Sequence, residues 1–302
     1  MTGILLLDKP AGITSQTAVT VARKMLGEKR IGHCGTLDPM ATGLLPLMVG
    51  PAAKACDLLM DHDKTYLASF VPGIETDTED VTGEILRRHE GPLPSFQEFK
   101  KAAESFQGPV QQIPPMYSAL KKDGQKLVDL ARKGVEVERT PRTVTIHGIH
   151  AFEGENGEWM LSVHCSRGTY IRTLCADIGK TLGCGGCMGS LRRTAVGDFR
   201  LEDALTLEEL RGTDRETIEK KLIPLADVFV RYPAVTLPGF QGKLYANGEK
   251  IFLSRLPSSM VSSWKEGDRF RIFLPFFEGL HSLADVVPSD EGLKLRSFIR
   301  FG

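Results

Sequence analysis

The sequence predicts an α+β (mixed α/β) protein, with one larger body and a small β-rich unit appended at its C-terminal end. Three observations carry that prediction. Short β-type runs alternate with helical runs at uneven intervals, unlike the regular β-α-β series of a doubly wound sheet. The composition changes at Tyr232-Pro233, beyond which short β-like runs are split by Pro and Gly. A length of 302 residues accommodates two such units. We therefore expect one domain over 1–231 and a second over 232–302.

Along the chain, Ile4 to Leu7 reads as a strand closed by the turn Lys9-Pro10-Ala11-Gly12. A helix follows, capped by Thr14 or Ser15, with Val19, Ala22 and Leu26 on one face and Gly27 as its stop. Leu44 to Val49 reads as a strand, Ala52 to Met60 as a helix, and Tyr66 to Val71 as a strand. The spacing of Phe96, Phe99, Ala103 and Phe106 predicts a helix over 95–106. Gln111 to Tyr117, with Pro114-Pro115, reads as an extended loop. Val144 to Phe152 and Trp159 to Cys165 read as a hairpin, and 169–182 as a helix with Ile171, Leu174, Cys175, Ile178 and Leu182 on one stripe. In the appended unit, Lys250 to Leu253, Arg269 to Leu274 and Leu283 to Val287 are the β-like runs.

Composition bounds the function. The 41% apolar and 25% charged fractions suit a folded core. No run of transmembrane length and no signal peptide is present, so the cytoplasm is the expected compartment. Of the six cysteines only Cys184 and Cys187 form a CxxC pair, with no second pair to complete a zinc site, so no metal is expected. A formal net charge of zero argues against indiscriminate nucleic-acid binding, yet the charge is segregated. Residues 164–200 carry six Lys or Arg against two acids, whereas 75–104 and 201–227 each carry four against eight. A basic face can thus coexist with an acidic back.

No Walker loop, GxGxxG, GxSxG or HExxH occurs, which leaves carboxylates to carry chemistry. Asp38 stands out because Pro39 holds it extended and Gly32, Gly35 and Gly43 let the backbone fold closely around it. Two readings are open for it: a presented nucleophile, or an Asx-type turn former. An ionised Asp in a dry pocket needs a cation; Arg172, at the start of the 169–182 helix, is the candidate, its alternative being an ordinary surface ion pair. Tyr66 offers either a face on which a base stacks or a core aromatic.

The run Gly32-His33-Cys34-Gly35-Thr36-Leu37-Asp38-Pro39-Met40-Ala41-Thr42-Gly43-Leu44-Leu45-Pro46 resembles the signature loop of the TruB family of tRNA pseudouridine-55 synthases. Leu7-Asp8-Lys9-Pro10-Ala11-Gly12, Asp63-Lys64-Thr65-Tyr66 and Thr76-Asp77-Thr78-Glu79-Asp80 stand in the family's order around it. So do Gly168-Thr169-Tyr170-Ile171-Arg172-Thr173-Leu174 and Ser190-Leu191-Arg192-Arg193-Thr194. The six motifs span residues 3–199. The chain departs from the pattern at Cys34, where small residues are usual, and in the Gly- and Cys-rich run 183–189.

The resemblance implies a central, mostly antiparallel sheet flanked by helices, and a small PUA-like RNA-binding domain at the C-terminal end. It implies isomerisation of a T-arm uridine (position 55) to pseudouridine, with Asp38 as catalytic carboxylate, Arg172 as its partner and Tyr66 against the base. His33 would help extrude the nucleotide, and Tyr170, Leu191 and Thr36 would line the uridine pocket. Lys9 and Pro10 would support the catalytic loop, and Asp77 and Asp80 would order a strand connection. The reaction needs no cofactor; the partner would be the tRNA T arm, with no membrane and no obligate protein partner, and the chain would act as a monomer. Two rivals are a guide-RNA-dependent pseudouridine synthase subunit and a non-catalytic tRNA-folding chaperone.

Overall fold

The computed structural model describes residues 1–302. Its main element is a ten-stranded sheet. Eight strands run in the order Leu205–Thr206, Gly3–Lys9, Thr42–Val49, Gly186–Val196, Lys64–Pro72, Trp159–Cys165, Arg142–Glu153, Gly108–Gln112. Ile31–His33 adds to Thr42–Val49, and Phe199–Arg200 to Gly186–Val196. Pairing is parallel only between Leu205–Thr206 and Gly3–Lys9 and between Gly186–Val196 and Thr42–Val49. The sheet is thus mostly antiparallel, as the resemblance implies.

Strand Gly3–Lys9 is covered on both faces, which its unbroken apolar run Ile4 to Leu7 requires. Strand Lys64–Pro72 instead alternates, turning Tyr66, Ala68 and Phe70 into the core. Phe99, from the helix Phe96–Glu104, stacks on Phe70 at 4.8 Å and on Trp159 at 4.9 Å between ring centroids. A capping box between Ser95 and Glu98 starts that helix. Helix Ser15–Leu26 is capped by the Thr14 side chain, which accepts from the Thr17 N–H, and stops at Gly27 in the left-handed region.

Several expectations need correction. Gln111 and Gln112 are not loop; they close the edge strand Gly108–Gln112, and the irregular backbone begins only at Ile113. An edge strand with one exposed face gives a weak hydrophobic signal. Within Ala52 to Met60 only Cys56–Met60 is α-helical, because Pro51 initiates a tighter 3-10 turn over Gly50–Ala55. The Gly- and Cys-rich run leads into Gly186–Val196, an interior strand of the sheet that the residue pattern concealed. Glycine is demanded there: a Cβ on Gly186 would overlap the Phe70 ring, and one on Gly179 of the helix Ile171–Thr181 would overlap the Gly186 backbone. The two glycines let helix and strand approach at backbone distance. Cys184 and Cys187 are both buried free thiols.

The C-terminal β-rich domain is a five-stranded sheet in the order Ala234–Thr236, Arg269–Phe273, Ser282–Val287, Lys294–Arg300, Ile251–Phe252. Its first and fourth strands, and the helix Gly239–Ala246, carry patterns too short or too mixed to read from sequence. Inside it, Tyr245 is buried and its hydroxyl lies 2.7 Å from that of Ser282. Leu283 and Phe301 share an apolar cluster with Ile4, Leu6 and Met48 of the large sheet. The Arg271 guanidinium donates to the Tyr232 and Ala226 carbonyls at 2.7 and 2.6 Å.

Replacing Phe99 by Ala should lower unfolding free energy by about 3–5 kcal/mol, since it removes the middle ring of a buried stack. Urea unfolding followed by circular dichroism measures this; a loss below about 1 kcal/mol would contradict the stack's role.

Candidate active site

Asp38 sits on the loop between the strands Ile31–His33 and Thr42–Val49. The Ala41 N–H donates to the Asp38 carbonyl at 3.1 Å, closing a turn in which Pro39 takes the second position. That is the turn-forming reading, and the backbone alone satisfies it. The carboxylate is left for Arg172, whose Nε lies 3.0 Å from Asp38 Oδ2.

The loop is anchored from beneath. Lys9 is fully buried, and its ammonium donates to the carbonyls of Pro10, Ile13 and Pro39 at 2.8, 2.9 and 3.3 Å. Burial pushes the Lys9 amine down to about 8, while the Asp38 carboxylate pulls it back up. The Ser15 hydroxyl bonds both the carbonyl and the N–H of Leu37 at 3.1 and 2.9 Å. Gly12 N–H donates to the Pro39 carbonyl at 2.8 Å. On the other side Arg193, 1% exposed, donates to the carbonyls of Leu44 and Gly35 at 2.7 and 3.1 Å. Gly43 has φ +100°, and a Cβ there would overlap the Arg193 carbonyl. Glycine therefore permits the parallel register Arg193↔Gly43 that brings the loop beside the strand Gly186–Val196.

Arg172 is 5% exposed and held at four points. Beyond Asp38, its guanidinium donates to the carbonyls of Thr78 and Tyr117 at 2.9 and 2.8 Å, and its Nε lies 3.8 Å from Asp80 Oδ2. Asp80 is itself fixed by the Thr78 hydroxyl at 2.8 Å and the Thr82 N–H at 2.9 Å. One buried cation thus serves two carboxylates. Burial pushes the Asp38 carboxyl above its ordinary value; Arg172 opposes that rise, and the Asp80 charge adds to it.

A cavity of about 650 Å³ opens over Asp38. Of the residues expected at the site, Asp38, Thr36, Tyr66, Tyr170, Arg172 and Leu191 all line it. The Asp38 side chain is 35% exposed there, enough to be reached. Tyr66 is 8% exposed and is both core and wall; burial pushes its phenol up, against the Arg193 charge. Tyr170 is positioned through its backbone, which exchanges hydrogen bonds with the buried Gln112 side chain at 3.0 and 3.2 Å.

Two expected residues stand outside the lining. Lys9 lies beneath the loop, as its supporting part requires. His33 ends the strand Ile31–His33, and its Nδ1 is buried with no hydrogen-bond partner. Burial pushes its imidazole down, as does Arg193. Asp77 accepts from the Tyr117 hydroxyl at 3.0 Å and from the Glu84 N–H at 2.8 Å, so it does order that connection. Sequence reasoning did not single out Lys64, Arg142, Arg167 and Arg193 at the cavity, nor Gln112 behind it. Arg167 was visible only as part of the basic excess of 164–200, Arg193 there and within a quoted motif, and Lys64 only within a quoted motif, while Arg142 and Gln112 carried no signal.

A mostly antiparallel sheet thus presents Asp38 on a glycine-bounded loop against Arg172 of the helix Ile171–Thr181, and the fold is that of known pseudouridine synthases. A crystal structure of a Cbf5-Nop10-Gar1 complex superposes with a TM-score of 0.69 at 25% identity, covering 99% of this chain and 85% of the other. A structure titled as an H/ACA RNP bound to a substrate RNA gives 0.68 at 23% identity, covering 99% and 85%, and supports the fold. Residues 23–171 match the TruB family pseudouridylate synthase N-terminal domain, and 172–229 the tRNA pseudouridylate synthase B C-terminal domain. Proteins named tRNA pseudouridine synthase B are similar along most of the chain. The one from Alkaliphilus oremlandii is 47% identical over 85% of both chains; that from Aromatoleum aromaticum is 42% identical over 88% of this chain and 86% of its own. The chain belongs to the TruB family. No helix is long and apolar enough to cross a membrane.

Replacing Lys9 by Met should leave the Pro10 and Ile13 carbonyls without the ammonium donor, the Pro39 carbonyl keeping the Gly12 N–H, and cost roughly 1–3 kcal/mol of stability. Thermal unfolding reads this out; an unchanged midpoint would mean that the ammonium does not hold the loop.

Proposed function

We propose that this tRNA pseudouridine synthase converts one T-arm uridine, position 55, to pseudouridine with Asp38 as its nucleophile. Isomerase action on tRNA follows from the family and from the names of relatives at 41–47% identity. The observation that carries the finer reading is the reachable Asp38 carboxylate, paired at 3.0 Å with an otherwise buried Arg172. Arg172 keeps Asp38 ionised in a pocket whose burial works against ionisation. In this reading the Asp38 carboxylate attacks C1′ of the ribose, and the bond from N1 to C1′ breaks to release the uracil anion. The free base turns beneath Tyr66, C5 bonds to C1′ as the bond from Asp38 to C1′ breaks, the C5 proton leaves to solvent and N1 takes one up. No electrons are exchanged with another group.

The target base must first leave its stack, at a cost of a few kcal/mol. His33 fills the vacated space, while Tyr170, Leu191 and Thr36 hold the extruded uridine. The exposed rim cations Arg142 and Arg167 meet the phosphates of the folded arm. We place the domain boundary at 231/232, because every strand of the second sheet follows it, and assign that domain to RNA contact. We propose that the chain works in the cytoplasm as a monomer without a guide RNA. The tRNA synthase name goes with its relatives at 41–47% identity, whereas the matched RNP structure shares only 23%.

Asp38→Asn should abolish turnover, by at least about 10⁴-fold, while tRNA affinity changes less than about threefold. Tritium release from 5-labelled uridine in a tRNA transcript measures the first and filter binding the second; retained turnover would exclude Asp38 as the nucleophile. The active form is the carboxylate and its folded pKa is raised, so single-turnover rate should fall as pH drops through a midpoint above the ordinary 3.8. A profile flat down to pH 4 would contradict this.

A further inference from the structure

We infer that Cys34 and Cys56 form a reversible disulfide site that governs the catalytic loop. Cys34 lies on that loop, directly after His33 and four residues before Asp38. Cys56 opens the helix Cys56–Met60 packed against it. The two residues face each other reciprocally. The Cys34 thiol donates to the Cys56 carbonyl at 3.5 Å, and the Cys56 thiol donates to the His33 carbonyl at 3.5 Å. Both are free thiols, and each reaches the backbone of the segment that carries the other.

Their exposures differ in a way that assigns the order of events. Cys34 is 1% exposed, whereas Cys56 is only half-buried. A reagent therefore meets Cys56 first. The neighbouring Cys34 side chain draws the Cys56 thiol down, whereas the Cys56 side chain and burial push the Cys34 thiol up, so Cys56 is the readier thiolate. The remaining cysteines, Cys165, Cys175, Cys184 and Cys187, are all buried.

With a small-molecule disulfide as oxidant, the Cys56 thiolate attacks one sulfur, forming a mixed disulfide and releasing one reagent thiolate. Cys34 loses its proton to solvent and attacks the Cys56 sulfur, expelling the second reagent thiolate. Two electrons pass from the protein thiols to the reagent disulfide, and the two released thiolates take up the two protons. A covalent sulfur–sulfur bond is about 2.05 Å long, far shorter than the 3.5 Å thiol–carbonyl contacts that now hold the two residues together. Closing it draws Cys34 toward the helix and displaces Gly35 to Asp38 against the Arg193 and Lys9 anchors. A shift of 1 Å at reacting groups costs on the order of 100-fold in rate.

The test treats the full-length protein with oxidised glutathione and then digests it with trypsin under non-reducing conditions. Cleavage after Arg30, Lys54 and Lys64 gives the peptides Ile31–Lys54 and Ala55–Lys64, which should appear joined and two hydrogens lighter than their sum. Single-turnover tritium release should fall on the order of 100-fold and return with dithiothreitol. Cys56→Ser should match the reduced protein before treatment and resist the oxidant. Absence of the joined peptides would overturn the site. Joined peptides with unchanged turnover, or equal inactivation of Cys56→Ser, would overturn its control of the loop. The peptide readout does not depend on which uridine is modified or on the part assigned to Asp38.

Discussion

The buried guanidinium of Arg172 is the interaction around which the site is organised. It ties together Asp38 on the loop, Asp80 and Thr78 on the connection after Lys64–Pro72, and Tyr117 beyond the edge strand. These segments are distant in sequence and share no secondary structure. A guanidinium offers five donors in a planar fork, so one side chain can satisfy all four partners at once. An ammonium at the same place could not span them. Removing Arg172 would leave Asp38 and the buried Asp80 facing each other without their shared counter-ion.

That constraint explains why the surrounding fold is so tightly specified. The Asp38 carboxylate has to meet a fixed cation, so its loop cannot drift. Lys9, Ser15 and Arg193 fasten it through backbone carbonyls rather than through the carboxylate. The Asp38 carboxylate oxygens are therefore left to Arg172 and open to the cavity. Under the proposed reaction, function and stability pull against each other here, because burial disfavours the charge on Asp38 that a nucleophile would need.

The parallel contact between Thr42–Val49 and Gly186–Val196 joins the two halves of this arrangement. It depends on Gly43, whose missing Cβ admits the Arg193 backbone. Helix Ile171–Thr181, which carries Arg172, packs on the same strand through the Gly179–Gly186 contact. Glycines thus set two backbone approaches, and between them they fix the distance from loop to helix. The Gly- and Cys-rich run that departs from the family pattern lies beside the second approach; it accommodates the packing without touching the cavity.

The sequence by itself determined the class of fold, the helix carrying Arg172, the glycine-bounded presentation of Asp38 and the order of six motifs. These are local properties: turn chemistry, periodicity and residue spacing are written in neighbouring residues. Only the tertiary structure decided whether Asp38 used its carboxylate for a turn or for Arg172, and it assigned the turn to the backbone. Only it brought Asp80 to the same guanidinium, sealed Gln112 behind Tyr170, kept His33 out of the cavity wall and set Cys34 against Cys56. Each of these is a meeting of side chains separated by 20 or more positions, or a burial imposed by a neighbouring element. Such meetings depend on strand register and helix approach, which residue patterns do not encode locally.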